Sequence, residues 1–571
     1  MSFSVAGPEG MAAHPRLALI ASRSPILLLP ALLLWAAFPG LGADEGGPPS
    51  HTRTQKFATQ YPLGDAGAPL AVRPIANSKP WLGKDRGPVE GLMVFATEKS
   101  GAVWLGSDQG AARYDADAGH PWDRWQYFAG RRWLQDDSVQ NIHVEREGTR
   151  RMVWIRTRTG ISRIEWRPMT LEQKAAYFEE RIEARHVRHG MVADTHLAVP
   201  GAVESSVTRD DDNDGLWTSI YLGSQAYKYA VTREPLARER ARRSMDLLVR
   251  LEEITGNPGF PARSFVSTNE PRPQGGEWHP TPDGRWLWKG DTSSDELVGH
   301  YFGYAIYFDL VADEKEKQTI RKVVSRLTDH LIRHDYDLLD LDGQPTRWGQ
   351  WSERYFQTEE GRYEAPLRSL ELLSFLKTAH RLTGEARFDA AYRDRVARGY
   401  AKRVGRYRRW HGGGEINFSD DELAYLSFDP LLRYETDPGL RRLYQRALRF
   451  TWNQVRPNLN PLWNYITEAG EVTRFGSNAR EESERTLQRI PLDMIQWTMK
   501  NSHRRDVSFR KAKDRFGQEE LTVVLAPDER PVEKWNSNPF RPDGGSGGGA
   551  EEDGAYFLLP YWMGRYHQWV R

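Results

Sequence analysis

Residues 214–254, DGLWTSIYLGSQAYKYAVTREPLARERARRSMDLLVRLEEI, contain the pattern that decides the fold. Two helical stretches, 214–230 and 235–254, are joined by the short VTREP turn. Because the connection is so short, the two helices must lie side by side and antiparallel. The sequence therefore predicts a helical hairpin at this point of the chain.

The same arrangement recurs through residues 168–571, with short connections inside each pair of helices and long loops between pairs. Long loops on one rim can build a cleft there. The alternation predicts a mainly α chain folded as an (α/α) toroid, with an inner and an outer ring of helices. The further helices are predicted at 292–311 with 314–333, 365–382 with 386–400, 421–434 with 438–453, and near 483–500 and 551–569.

A small antiparallel β-module is predicted before the toroid, over residues 91–167. VWLGSDQGAARYD, from Val103, and VWIRTRTGISRIE, from Val153, follow one pattern: a strand, a glycine turn and a second strand. Two copies are too few to close a β-propeller. We therefore expect a partial module that packs against its neighbour.

The N-terminus has the pattern of a targeting segment. Basic residues precede the apolar run PILLLPALLLWAAF, 25–38, and small residues follow it, so residues 1–43 predict a signal peptide. Residues 44–90 are rich in Gly, Pro and Ala, which predicts an arm or linker. The mature chain is thus expected to be secreted or periplasmic, with no membrane span.

The amino-acid composition limits the kinds of ligand that the chain is expected to bind. The 571 residues carry 79 basic and 78 acidic side chains, so net charge gives no basis for binding nucleic acid. The chain has no Cys and therefore no disulfide. Its 21 Trp residues fit either large aromatic cores or a surface that stacks on sugar rings.

The paired helices with VTREP and LTGEARF turns, in a Trp-rich chain, resemble the six-hairpin (α/α)6 glycosidase and polysaccharide-lyase superfamily. The final stretch FLLPYWMGRYHQWV resembles a closing helix of such a toroid, and the two N-terminal repeats resemble blades of two-component-regulator-type β-propellers. The resemblance implies a carbohydrate-active enzyme with a polysaccharide or oligosaccharide substrate. It concerns architecture, and no catalytic residue is carried over from it.

The helices that follow long loops should be the inner ones, and all of them begin with acidic residues. Carboxylates cap helix N-termini, which explains part of this pattern. Glycoside hydrolysis also needs two carboxyl groups in one cleft. In DDDNDGLW, 210–217, we therefore interpret Asp214 as a candidate catalytic acid and Trp217 as a sugar-stacking side chain.

The stretch WLWKGDTSSDELVGHYFGYAIYFDL, 286–310, offers more candidates. Asp295 or Glu296 is the expected acid. Glu296, His300 and Tyr304 share one helical stripe, which is either a buried polar ladder or a row that provides a base for lyase chemistry.

Two loops are predicted to bind the substrate. Trp288 and Lys289 precede the Asp295 helix and would stack on a sugar and bind an anionic group. The Asp-Gly turn in DLDGQPTRWGQWSERYF, 340–356, predicts a hairpin on the cleft rim that presents Arg347, Trp348 and Trp351. The alternative for this second loop is plain packing on the toroid.

A metal loop is another interpretation of the opening acids. Asp210, Asp212 and Asp214, followed by Gly215, match the start of a calcium-binding loop, but position twelve is Tyr221 rather than Glu. Asp210 and Asp212 are therefore candidate calcium ligands, and no cofactor is required for the expected reaction.

Together these patterns favour an exported glycoside hydrolase that uses Asp214 with Asp295 or Glu296. The first alternative is a polysaccharide lyase, with His300 or Tyr304 as base and Arg347 or Lys289 neutralising a uronate. A sugar epimerase ranks lower. The non-enzymatic alternative is a polysaccharide-binding or envelope scaffold protein.

Overall fold

The computed structural model describes residues 53–62, 87–147, 150–405, 410–411, 415–472, 477–514, 516–532 and 534–570. The predicted signal peptide and most of the predicted arm lie outside these residues. Among the helices of this part of the chain, none combines the length and the apolar character that a membrane crossing requires.

The chain from residue 168 onward is mainly helical, as predicted. The α-helices of the described residues are α1 (Pro121–Arg124), α2 (Leu171–Arg181), α3 (Asp214–Thr232), α4 (Pro235–Glu253), α5 (Ser294–Leu310), α6 (Glu314–Arg333), α7 (Glu359–Thr383), α8 (Ala386–Ala397), α9 (Tyr400–Val404), α10 (Phe418–Tyr434), α11 (Pro438–Val455), α12 (Pro461–Ala469), α13 (Ser477–Arg489) and α14 (Ala555–Tyr566).

Two rings of helices form the predicted (α/α) toroid. The inner helices α3, α5, α7, α10, α12 and α14 are buried over most of their surface, as suits helices covered on all sides. The outer helices α4, α6 and α11 bury one face and expose a charged one. Each inner helix contacts the next, and α14 contacts α3, which closes the ring.

The helical hairpins are confirmed with three differences. The helix predicted from residue 365 begins at Glu359, where the Thr358 side chain caps it, and Pro366 lies inside the helix. The prediction of an inner helix at 483–500 is wrong. Helix α13 ends at Arg489 and belongs to the outer ring. Its inner partner is α12, in a stretch predicted as loop, because a helix of nine residues is shorter than the window in which a helical period can be recognised.

Strands β1 to β8 form the predicted antiparallel β-module. They make two four-stranded sheets, in the orders β2-β3-β4-β5 and β1-β8-β7-β6, and the two sequence repeats are the β3–β4 and β7–β8 hairpins. Their bounds are β1 (Arg53–Pro62), β2 (Val94–Thr97), β3 (Val103–Ser107), β4 (Gly110–Tyr114), β5 (Trp125–Phe128), β6 (Val139–Glu147), β7 (Arg150–Thr157) and β8 (Gly160–Met169).

The two sheets share an aromatic core that contains Trp104, Phe128, Trp133 and Trp166. Strand β1 lies within the stretch predicted as an arm and pairs with β8 over its whole length. Its sequence, RTQKFATQYP, is mostly polar, so no apolar alternation indicated a strand.

Buried Asp528 attaches this module to the toroid. Its carboxylate accepts from Lys56 Nζ of β1 at 2.6 Å and from Arg489 Nη2 of α13 at 2.6 Å, and its carbonyl accepts from Trp133 Nε1 at 3.0 Å. Because a buried carboxylate is costly without cations, both partners are needed to keep this contact.

Short strands line the loop side of the ring. They are β9 (Val187–Arg188), β10 (Met191–Val192), β11 (Thr195–Leu197), β12 (Ser206–Thr208), β13 (Phe265–Ser267), β14 (Trp278–Pro280), β15 (Trp286–Lys289), β16 (Asp337–Leu339), β17 (Pro345–Gln350), β18 (Trp410–His411), β19 (Glu415–Ile416) and β20 (Ala550–Glu551). Strands β16 and β17 pair as the predicted rim hairpin.

Glu179 on α2 joins four helices where the ring closes. Its Oε1 accepts from Gln225 Nε2 of α3 and Trp562 Nε1 of α14, each at 3.2 Å. Its Oε2 accepts from Lys228 Nζ of α3 at 2.8 Å and Arg240 Nη1 of α4 at 3.2 Å. The side chain is buried, so its removal leaves donors and cations without this partner.

We predict that Glu179→Ala lowers the free energy of unfolding by about 3 kcal/mol, because breaking a buried ion pair leaves an uncompensated charge. Urea denaturation of the full chain measures it. The matched control is Glu180→Ala, which removes an exposed carboxylate from the same helix and should change stability by less than about 0.5 kcal/mol. Equal losses in the two variants would contradict this role for Glu179.

Candidate functional site

Three carboxyl groups from consecutive inner helices influence one another near the N-terminal ends of α5 and α10. They belong to Asp295 on α5, Glu371 on α7 and Glu422 on α10. The charge of Asp295 raises the pKa of both Glu371 and Glu422, so the three side chains lie within electrostatic range of one another. A group of interacting carboxyls is what acid–base chemistry requires.

Glu422 is the proton-holding member of this group. Its side chain is 1% exposed, and burial together with the Asp295 charge raises its pKa to about 8, against the opposing charge of Lys534. Within the part of the chain that the structure describes, Glu422 Oε1 has no hydrogen-bond partner. Glu422 is therefore protonated at neutral pH and has a proton to donate.

Asp295 is the accessible member. It is partly exposed, whereas Glu371 and Glu422 are buried. Burial raises the pKa of Asp295, and the nearby Arg368 guanidinium acts in the opposite direction. Arg368 thus favours the ionised form of the one carboxyl that a ligand can reach.

Arg368 is held in place by two carboxylates of its own helix. Its Nε donates to Glu364 Oε2 at 2.9 Å and its Nη1 donates to Glu371 Oε2 at 3.2 Å. Glu371 Oε2 also accepts from Trp351 Nε1 at 2.8 Å. Burial raises the pKa of Glu371 to about 7, and Arg368 opposes that shift.

An aromatic wall adjoins these carboxyls. Tyr425, one helical turn beyond Glu422, stacks on Trp463 of α12 with ring centroids 4.6 Å apart. Trp535 lies 5.5 Å from Trp463, and Tyr556 of α14 lies 6.3 Å from Trp535. Tyr425 and Trp463 are buried, so the partly exposed Trp535 and Tyr556 are the members of this wall that can present a face to a sugar ring.

A cavity opens beside this wall, at the N-terminal end of α12. Aromatic, amide and cationic side chains surround it, which is the composition of a site for a polar ligand with a flat apolar face. Its lining includes Asn460, Trp463, Arg530, Lys534, Trp535, Asn538, Arg541 and Tyr556.

Lys534 covers the predicted stacking residue Trp217. Its Nζ lies 3.8 Å from the centre of the Trp217 ring and 3.1 Å from Asp194 Oδ2. Trp217 is 7% exposed, and its Nε1 donates to the Asp212 carbonyl at 3.3 Å. The structure therefore places Trp217 at the edge of the site, beneath a cation.

Asp214 requires a correction. It is fully buried at the start of α3, where its Oδ2 accepts from Arg188 Nη2 at 2.9 Å and from the Ser264 hydroxyl. Burial raises its pKa to about 7, and Arg188 opposes the shift. The geometry makes Asp214 an internal polar contact that ties the start of α3 to β9 and to the segment before β13.

The stripe of Glu296, His300 and Tyr304 exists, but it faces inward and is fully buried. Glu296 Oε1 accepts from the Gly215 amide at 3.1 Å, and His300 Nε2 lies 3.1 Å from the Leu248 carbonyl. The three side chains form the buried ladder between α3, α4 and α5. In this structure none of the three side chains faces solvent, and the arrangement matches the buried polar ladder that was the alternative to a base for lyase chemistry.

The predicted binding loop around Trp288 and Lys289 also faces inward. Trp288 is 1% exposed and lies against the His279 ring, with centroids 4.5 Å apart. Lys289 Nζ contacts Asp210 Oδ2 at 3.2 Å and also Asp212. The cation on these two carboxylates is thus Lys289 of the chain itself, and calcium at Asp210 and Asp212 stays a prediction.

Of the three residues predicted on the rim hairpin, two face outward and one is buried. Arg347 is exposed, and its guanidinium lies 4.5 Å from the ring of Trp348, so both can face a ligand. Trp351 is fully buried and supports Glu371 through its indole N–H. Trp351 therefore acts from behind the site rather than as a stacking surface.

Sequence patterns missed several residues of the site. Glu422 lies in an acidic helix start that capping already explained, while residues inside α7 and the loop before α14 show no local signal. They meet only because the ring closes. The missed residues are Arg368, Glu371, Glu422, Trp463, Lys534 and Trp535.

No protein family profile and no curated protein matches the chain. Similar solved structures include a sugar epimerase from a ruminal bacterium, 9% identical with a TM-score of 0.36, which covers 70% of this chain and 98% of its own. A glycoside hydrolase family 76 mannosidase from Bacteroides thetaiotaomicron is 7% identical, with a TM-score of 0.39 and the same coverage of each chain. An unsaturated glucuronyl hydrolase from Bacillus sp. GL1 is 13% identical, with a TM-score of 0.36, over 70% of this chain and 97% of its own.

The raised pKa of Glu422 predicts a pH-dependent stability. The folded state holds this proton up to about pH 8, whereas the glutamate of an unfolded chain loses it at about pH 4.3. The folded form therefore loses stability as the pH rises between these values. We predict that Glu422→Gln is more stable than the parent by about 4 kcal/mol at pH 8.5, relative to their difference at pH 5.

Urea denaturation at the two pH values measures this difference. The control is Glu360→Gln, which changes an exposed glutamate at the start of α7 and should show the same pH dependence as the parent chain. Parallel stability curves for the parent and Glu422→Gln would show that Glu422 does not hold a proton.

Proposed function

We propose that the chain is a carbohydrate-active enzyme, a glycoside hydrolase that cleaves a polysaccharide or oligosaccharide at the axis of the helical ring. The observation that carries the proposal is the pairing of accessible Asp295 with protonated Glu422 beside the aromatic wall. Glycoside hydrolysis uses one carboxylic acid and one carboxylate across the scissile bond.

The two carboxyls have different roles in this reaction. Glu422 donates its proton to the glycosidic oxygen as the bond to the leaving sugar breaks. Asp295 in its ionised form either activates a water molecule or attacks the anomeric carbon. Arg368, fixed by Glu364 and Glu371, favours the charge on Asp295 while Glu422 stays neutral. When the surroundings give two neighbouring carboxyls different pKa values, the one that keeps its proton is the acid and the other is its ionised partner.

The aromatic wall supplies the binding energy for the sugar. Trp535, which is partly exposed, offers a face for stacking, and Asn460 and Arg541 line the same cavity with hydrogen-bond donors. The signal-peptide pattern of residues 1–43 supports export, which suits a substrate too large to enter a cell.

Incubation with a panel of neutral and acidic polysaccharides tests the proposal. New reducing ends without ultraviolet absorbance support a hydrolase. Reducing ends with the absorbance of an unsaturated uronate indicate a lyase, and binding without cleavage indicates a scaffold. Either of these last two results would overturn the proposal that the chain is a hydrolase.

Asp295→Asn and Glu422→Gln should each lower kcat by about 10²-fold to 10⁴-fold, because each removes a group that transfers a proton or attacks the sugar. Glu360→Gln, an exposed acid at the start of another inner helix, should keep full activity. Folding of all three variants is checked by circular dichroism. Unchanged kcat in either Asp295→Asn or Glu422→Gln would exclude that residue from the reaction.

A further inference from the structure

A second group of ligand atoms lies on two rim hairpins, on residues that the proposed reaction does not use. It consists of Glu277 and His279, on the β14–β15 hairpin, and Asp340, in the turn that follows β16. One oxygen or nitrogen from each of the three lies within 4.8 Å of the other two. Glu277 Oε1 and His279 Nε2 are 2.9 Å apart.

The backbone brings these atoms together. Glu277 and His279 are two residues apart at an extended strand, so their side chains point to the same side. Gly290 lies beneath the cluster: a Cβ there would be 3.0 Å from His279 Nε2 and 3.2 Å from Asp340 Oδ2. Its amide donates to the Glu277 carbonyl at 2.8 Å, which continues the pairing of β14 with β15 next to the cluster.

His279 Nε2 gives an independent sign of a ligand. This nitrogen is buried and makes no hydrogen bond within the described residues, although a Glu277 oxygen lies 2.9 Å away. The carboxylate is therefore off the line that a hydrogen bond requires. The imidazole is stacked on Trp288 at 4.5 Å, so it is held in this orientation. An unpaired buried nitrogen is unfavourable unless another group binds it.

Asp340 completes the group from the second hairpin. It is 9% exposed, and its Oδ2 accepts from the Asp291 amide at 2.8 Å, which orients the carboxylate. A carboxylate oxygen has a second lone pair for another partner. Backbone support of a carboxylate from behind is the usual arrangement around metal ligands.

We propose that Glu277, His279 and Asp340 bind a divalent first-row metal ion, with zinc favoured by the ligand set. One imidazole nitrogen and two carboxylate oxygens are zinc ligands, and a water molecule fills the fourth position. At zinc bond lengths, ligands on one ion lie about 3 to 3.5 Å apart, so rotation of the exposed Glu277 side chain closes the site around the fixed His279 and Asp340. The ion joins the β14–β15 hairpin to the β16–β17 hairpin.

Zinc titration of the tag-free, chelator-treated full chain tests this site, with calorimetry and the melting temperature as readouts. One zinc ion per chain should bind, and the melting temperature should rise with zinc, because an ion that binds only the folded state stabilises it. His279→Ala and Asp340→Asn should each weaken zinc binding at least tenfold, in line with loss of a ligand.

The matched control is His189→Ala. His189 Nε2 also contacts a glutamate, Glu270, but no third ligand accompanies that pair among the described residues. Zinc binding should be unchanged in this variant. The melting temperature of every variant is first measured in chelator, so that a folding defect is separated from a binding defect. Absence of zinc binding, or equal binding by the parent, His279→Ala and Asp340→Asn, would overturn the site.

Discussion

Closure of the helical ring is the constraint on which the rest of the structure depends. Helices α2 and α14 are almost 400 positions apart in sequence, yet they meet beside α3, where the buried Glu179 carboxylate accepts from three helices. Once this junction forms, the inner helices run parallel to one another and begin on one face of the ring. The side chains at those ends are then brought together, whatever their separation in the chain.

The chemistry of the site follows from the closeness of these side chains. Asp295, Glu371 and Glu422 cannot all carry a charge in buried surroundings, so Glu422 keeps its proton and Arg368 supports the charge on Asp295. The arrangement lowers stability at alkaline pH and at the same time provides an acid next to a carboxylate. A pair of carboxyls that differ in this way is unfavourable for folding and useful for catalysis.

The architecture could be predicted because hairpin turns and long loops alternate along the chain, and that pattern is local. The prediction failed at α12, which with nine residues is too short for its helical period to be recognised. Asp295 was among the predicted acids, but Asp214, His300 and Tyr304 were assigned to the cleft although they are buried. The sequence predicts which helix a residue belongs to and which side chains share one face of that helix. Which stripe faces the axis depends on the rotation of each helix in the closed ring, and packing decides that rotation.

A crystal structure of Glu422→Gln with a cleaved oligosaccharide identified from the polysaccharide panel tests the central claim most directly. We expect the glycosidic oxygen to lie about 3 Å from the residue 422 side chain, with Asp295 on the opposite side of the sugar and a sugar ring stacked on Trp535. An oligosaccharide bound elsewhere, or one whose scissile bond contacts neither Asp295 nor residue 422, would contradict it.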